Sequence, residues 1–441
     1  MSGHDTHGPS RADVLAIAMR PTPAWIKTAS TAAAVIGLIV FVAGLFVDPD
    51  RAWRAFHYNW LFFATLASAG GTWACVQRIV TARWSRPLVR FMEGYVAFLP
   101  FAFVDLLLIL FFGRSHIFPW THTVPPSAAK VFYLNPTFLI TRDIVVFGLL
   151  TALPLWFAYT ALRLDVGTIP EQGATWAHGL RQMMRRGFGE ERREIHSTHS
   201  IQGKIAVFAV LAFGFGWPVL AWDLSMTLDL HFQSTMYGWQ FFMTAWVGAI
   251  MSVSLLTMWW REQLDARSLI GEKHFHDLGK LCFAFTAFWG YLTFAQYLVI
   301  WYGNMGEETH FFRERLLPPW FWFTTLVAVL AFLLPFFGLI SKAAKVYLPT
   351  FVFFAVCSIV GTYLQRYIEV YPSLYGLPAS APFGLWEIGV LVLFLGTFGV
   401  SYFAFMDAFP KMRVVMQTSP YRDEIQVPVD PRTMQPLPAH E

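Results

Sequence analysis

Long apolar stretches alternate with short polar connections along the chain, and this alternation carries the first reading. Ten apolar stretches stand out, at roughly 25–47, 58–81, 91–112, 137–163, 203–225, 236–260, 279–302, 320–341, 346–366 and 383–408. Each is about the length a helix rising ~1.5 Å per residue needs to cross ~30 Å of hydrocarbon. The pattern predicts an all-α polytopic membrane protein of about ten transmembrane helices. It divides the chain into an N-terminal segment (1–24), a transmembrane domain (25–410) and a C-terminal tail (411–441). Pro21 and Pro23 directly precede the first stretch, with no cleavable leader pattern before it. The first helix is therefore expected to act as an uncleaved insertion signal.

Composition strengthens this picture. Of the 441 residues, 56% are hydrophobic and only 14% are charged, whereas soluble domains run near a quarter charged. Basic residues flank the apolar blocks, which suits lipid headgroups and not nucleic acid. Of the 32 Lys and Arg, only Arg51, Arg54, Arg114, Lys130, Arg142, Arg313, Arg315 and Arg366 fall on the side away from the termini. The bias places both termini in the cytoplasm. An odd number of spans would mix the two sets.

Two connections are long. Residues 164–202 contain Arg181, Arg185, Arg186, Arg192 and Arg193, with Trp176, Leu180, Met183 and Met184 at helical spacing. This reads as a basic amphipathic helix on the inner leaflet. Residues 113–136 contain His116, Pro119, Trp120, His122, Pro125 and Pro126, too rich in proline for a regular helix. The tail beyond Lys411, with Pro428, Pro431, Pro436 and Pro438, is expected to be extended or disordered. Trp60, Trp259, Trp260, Trp301, Trp320 and Trp322 fit an aromatic belt at the membrane surfaces.

Candidate chemistry begins with absences. The sequence has no C-x-x-C-H haem site, no cysteine run for an iron–sulfur cluster and no nucleotide fingerprint. Cys75, Cys282 and Cys357 lie singly within apolar blocks, and the thirteen histidines fall in loops or at span ends. Any electron carrier must then sit in partner subunits. No catalytic residue and no metal ligand is expected in this chain.

Ionisable groups at membrane depth are costly and usually functional. Asp105 is the clearest, followed by Arg142 and Asp143 inside the outer end of the fourth span and Glu387 inside the tenth. Asp105 suits either a proton relay or quinol site, or a buried pair with Arg142 or another cation. Glu93 and Asp407 lie near the inner ends of their spans, as proton-path mouths or as interfacial salt bridges. In the seventh span Thr286, Gly290, Thr293 and Tyr297 share one face, flanked by Gln296. That stripe reads as interhelical hydrogen bonding or as a water-filled proton path.

Four stretches carry a family likeness. They are Trp222-Asp223-Leu224 through Tyr237-Gly238; His276-Asp277 through Gln296-Tyr297 to Glu307-Glu308-Thr309; Lys130 to Asn135 with Arg142; and Trp84-Ser85-Arg86-Pro87 to Glu93. Together the chain resembles the F subunit of bacterial alternative complex III, within the NrfD-like, polysulfide-reductase-type membrane anchors. The resemblance implies two four-helix bundles plus two peripheral helices in the bacterial inner membrane. It implies a quinol:electron-acceptor oxidoreductase complex whose haem c and iron–sulfur clusters sit in partner subunits. Expected partners are a homologous membrane subunit, iron–sulfur and multihaem cytochrome c subunits, and the quinone pool. The sister membrane subunit holds the quinol site in that family, and the F subunit supplies a scaffold and a proton route. A proton-coupled secondary transporter and a purely structural anchor are the competing readings. Against the transporter, Pro154 and Pro335 lie in spans without matching broken partners.

Overall fold

A computed structural model describes residues 10–425, and these are all helix and connection, with no strand among them. The helices are α1 (Arg11–Ala18), α2 (Ala24–Val47), α3 (Pro49–Ile79), α4 (Val89–Ile117), α5 (Ala128–Tyr133), α6 (Pro136–Thr168), α7 (His178–Arg185) and α8 (Glu191–Leu224). Then follow α9 (Thr235–Gln263), α10 (Glu272–Gly303), α11 (Gly306–Arg315), α12 (Phe321–Gly338), α13 (Leu348–Tyr375), α14 (Leu385–Ala408) and α15 (Val414–Thr418). Among the described residues nine helices are long and apolar enough to cross a membrane: α2, α4, α6, α8, α9, α10, α12, α13 and α14. The protein is thus a multi-pass helical membrane protein. The stretch expected at 58–81 forms the 31-residue α3, whose Asn59, Ser68, Gly70, Gly71 and Thr72 make it less apolar. The reason is position: from Ala52 to Cys75 nearly every residue of α3 is buried. A helix enclosed by protein can carry polar residues that a lipid-facing one cannot.

Helix starts follow ordinary capping chemistry. Asp48 accepts from Arg51 N ahead of Pro49, and Asn135 accepts from Thr137 N and Phe138 N ahead of Pro136. Both pair a capping oxygen with proline in the first turn, where no backbone donor is needed. α3 packs against α2, α4, α6, α8, α9, α13 and α14, while α10 and α12 lie outside α9 and α13. The N-terminal segment meets the C-terminal one, as Lys411 N donates to Ala18 O at 2.9 Å. We refer to this end of the bundle as the terminal end.

α2 lies at the periphery. It buries only Gly37, Phe41 and Gly44, and runs closely along α14. A Cβ on Gly396 would stand 2.1 Å from the Ala34 backbone nitrogen, so glycine here sets the helix separation. Gly396→Val should push the pair apart and cost about 1–3 kcal/mol, read as a lower unfolding midpoint in detergent. A variant as stable as the parent would show that α2 is held elsewhere.

Several expectations change. α8 begins at Glu191, not near 203, because Glu191 pairs with Arg11 and Glu194 with Arg163, so the charge-rich stretch continues the helix. The basic connection therefore shortens to 169–190, and its amphipathic helix α7 spans eight residues. Trp176 and Met183 are exposed, but Met184 and Arg181 are buried, so α7 rests on the protein as well as facing outward. Glu171 ties Arg181 and Arg185 down there, and those guanidiniums hold its carboxyl below the usual range. The proline-rich stretch forms only short helical turns, at Pro119–Thr121 and in α5. The first part of the tail is not extended: α15 seats Val414 and Val415 in the interior. Pro428, Pro431, Pro436 and Pro438, and residues 1–9 of the N-terminal segment, lie outside the described residues. Trp60, Trp260 and Trp320 are fully buried inside the protein and so do not face lipid, whereas Trp301 and Trp322 are exposed as a belt requires. α4 and α12 each contain a π-helical segment, Ile109–Gly113 and Ala328–Leu333.

Candidate functional site

At the end opposite the termini a cleft of about 990 Å³ opens between α5, α6, α8, α9 and α10. Its walls bring together residues far apart in the chain: Lys130 and Tyr133; Phe138 and Arg142; Val219 and Trp222; Met226 and Gln233–Met236; Gln296 and Ile300; and Glu308. The lining is mostly apolar with a few polar groups, the usual composition of a site for a small organic molecule. Two buried donors, Trp222 Nε1 and Gln296 Nε2, make no hydrogen bond. Such groups are rare in folded interiors and call for a partner. Trp222 can lie where it does because Gly238 has no side chain: a Cβ there would come within 2.9 Å of the indole nitrogen. Lys130 donates to the Leu230 carbonyl at 2.6 Å, which ties α5 to the connection after α8. Burial lowers the Lys130 pKa, with Asp229 and Glu307 opposing.

The floor of the cleft is ionic. Arg142 donates to both oxygens of Asp223, at 2.7 and 2.8 Å, in a fork that suits guanidinium and carboxylate. The rings of Tyr133 and Phe138 cover the guanidinium, with centroids 4.0 and 4.6 Å away. Asp223 is fully buried, and so is Asp143, the neighbour of Arg142. Among the described residues neither Asp143 oxygen receives a hydrogen bond, and Asp223 is its charged neighbour. Among the described residues Arg142 pairs with Asp223 and leaves Asp143 without an ion pair. At the very next residue of α8 after Asp223, the His57 Nε2–H donates to the Leu224 carbonyl at 2.7 Å, leaving His57 Nδ1 buried without a partner among the described residues. α3 thereby fixes the end of α8 that carries Asp223.

The other candidates fall in different places. Asp105 is half-buried on α4 and makes no hydrogen bond or ion pair among the described residues, so it does not join Arg142. Glu387 is fully buried, accepts from Arg51 at 2.7 and 2.8 Å and from Tyr371 at 3.0 Å, and caps α14 at Gly384 N. Glu93 pairs with Arg90 and Arg413, and Asp407 pairs with Lys27 at 2.9 Å; both lie at the terminal end. The α10 stripe meets several neighbours. Thr286 is buried with its hydroxyl unpartnered, and Gly290 is covered by Phe332 of α12. Thr293 accepts from Gln240 at 3.4 Å. Tyr297 packs edge-on to Phe312 and lines a second cleft of about 630 Å³, while Gln296 alone of the set reaches the first.

Three features escaped the sequence reading: Asp223 and His57, and a tyrosine ladder beside α3. In the ladder Tyr58 and Tyr363 share a hydrogen bond of 2.8 Å, Tyr363 donates to Asn59, and Tyr371 stands beside Tyr58 with its hydroxyl on Glu387. Arg366 is likewise buried, on Glu369 and the Phe241 carbonyl. Polar residues at span ends looked interfacial because sequence gives depth but not what packs above it. Among the described residues no cluster of His, Cys, Asp or Glu is arranged to hold a metal ion. No protein-family model matches the chain, and no curated protein matches it either.

Proposed function

We propose that this chain is a membrane subunit of a respiratory quinol:electron-acceptor oxidoreductase of the alternative complex III type. It carries no redox centre of its own and gives the complex a scaffold and a proton-handling site. One observation carries the reading. Three stretches that resemble the family (Lys130–Asn135 with Arg142, Trp222–Gly238 and Gln296–Thr309) converge on one cleft. That cleft ends on the Asp143–Asp223–Arg142 group.

The group suits proton handling on charge alone. Two carboxylates close together in a buried place cannot both stay ionised cheaply when one cation serves both. A single proton held between Asp143 and Asp223 balances Arg142 and gives the unpartnered oxygens a hydrogen bond. The pair is a coupled unit whose proton belongs to neither residue alone. Quinol oxidation releases protons, and a carboxyl dyad at the floor of a cleft is a suitable acceptor. In this reading ten spans cross the bacterial inner membrane with both termini cytoplasmic, and partner subunits hold the haem c and iron–sulfur clusters.

The first test is purification of the full-length chain from its native membrane in a mild detergent. The proposal expects co-elution with a multihaem cytochrome c and an iron–sulfur protein, read as haem absorbance and iron content. A haem-free single chain that moves a solute in vesicles would point to a transporter. The π-helical segments lie in α4 and α12, the third span of each five-span half, but the helix runs on through both, so neither is the broken helix a transporter site needs.

A further inference from the structure

At the terminal end a small, partly open cavity of about 60 Å³ lies between the end of α3, the start of α4, α8 and the segment that follows α14. Among the described residues its wall contains Arg78, Arg86, Arg413 and His199, and no carboxylate. The charge balance around it is uneven. Arg413 is engaged by Glu93, and Arg86 reaches Asp423 at 3.0 Å. Arg78 has only a carbonyl, His199 O at 2.7 Å, and lies across Gly203 of α8 with Arg413 as a charged neighbour. Arg90, behind the wall, is shared between Glu93 and Asp165. Four guanidiniums thus face three carboxylates.

Unpartnered donors point the same way. Arg78 Nε and Arg86 Nε are buried and make no hydrogen bond. The Gln77 side chain is 7% exposed, and its amide oxygen is also without a partner; an amide of this kind can be turned to present its NH2 instead. A water needs roughly 10–15 Å³ of such space, so the cavity holds about the heavy atoms of one tetrahedral oxyanion. Guanidinium forks match phosphate oxygens in geometry and charge. The position fits as well, because basic pockets between membrane helices bind lipid headgroups.

We propose that this cavity is a phosphate-binding site formed by Arg78, Arg86, Arg413 and Gln77. The bound group is the phosphate of an anionic phospholipid headgroup or inorganic phosphate itself. It balances the surplus guanidinium and ties the segment around α15 to α3 and α8. The inference does not depend on the proposed respiratory role.

The test uses the full-length chain in dodecyl maltoside and follows its unfolding midpoint by tryptophan fluorescence. The ligands compared are phosphatidylglycerol against phosphatidylcholine in mixed micelles, and inorganic phosphate against chloride at equal ionic strength. The proposal expects saturable stabilisation by phosphatidylglycerol, by inorganic phosphate, or by both. Stabilisation by the lipid alone assigns a headgroup, and by phosphate alone a free anion. Arg78→Gln should weaken the apparent affinity at least about tenfold, the loss of roughly one charge-assisted hydrogen bond, while Lys342→Gln should leave it unchanged. Should Arg78→Gln not fold, Arg86→Gln on the cavity rim reads the same loss. A parent protein that responds equally to all four additives would overturn the proposal, as would arginine variants that respond like the parent.

Discussion

Arg142→Ala is expected to destabilise the protein by about 3–5 kcal/mol, while the adjacent Asp143→Asn changes stability by less than ~1 kcal/mol. Arg142 is the cation that forks onto Asp223, and both Asp223 and Asp143 are sealed from solvent. Removing it leaves two buried acids without compensation, the circumstance in which breaking an ion pair is most costly. It also strips the faces of Tyr133 and Phe138 of their cation. Asn at 143 has the shape of the acid and can donate to Asp223, so it replaces the shared proton with a fixed N–H. Unfolding titrations of both variants in mixed micelles measure the contrast. If Asp143→Asn proves as damaging as Arg142→Ala, Asp143 is an ionised structural partner and the shared proton does not exist.

The second large effect is expected at the terminal end. Arg90 is fully buried and joins Glu93 on its own helix to Asp165 of α6. Asp165 in turn accepts from Val415 N at 2.9 Å, and Arg413 reaches Glu93. One guanidinium therefore joins α4, α6 and the segment around α15. Arg90→Ala leaves Asp165 with a single backbone donor and should also cost about 3–5 kcal/mol. It should further free residues 411–425, so that trypsin cuts at Arg413 or Arg422 in the folded variant and not in the parent. Arg90→Met combined with Asp165→Leu removes both charges and should recover part of the loss, because an apolar replacement of a buried pair is often tolerated. Equal protease resistance in Arg90→Ala and the parent would show that apolar packing of Val414 and Val415 holds this segment.

These two ionic groups show how far the sequence could be read. Helix positions were legible because lipid demands about twenty apolar residues per crossing, a signal that survives errors of a few residues at each end. The centre of the bundle was less so: of the long helices α3 is the most enclosed and the least apolar, because protein surrounds it. Arg142 and Asp143 stood out as charges inside an apolar block. Their partner Asp223 sat at the end of another block, where it looked like a boundary. Asp105 stood out by the same rule, yet has no partner among the described residues. Depth along a helix is written in the sequence, but the direction a side chain faces, and across which interface, is set by packing. Glu387 makes the point from the other side. Its place near a helix start suggested a proton site, and the fold uses it to cap α14 and hold Arg51.

The proton between Asp143 and Asp223 is the central claim, and infrared difference spectroscopy of the full complex addresses it most directly. The account predicts a protonated carboxyl band at neutral pH that shifts when quinol is added, is absent from Asp143→Asn, and persists in Asp105→Asn. A spectrum with no protonated carboxyl band, or one that Asp143→Asn leaves unchanged, would contradict it.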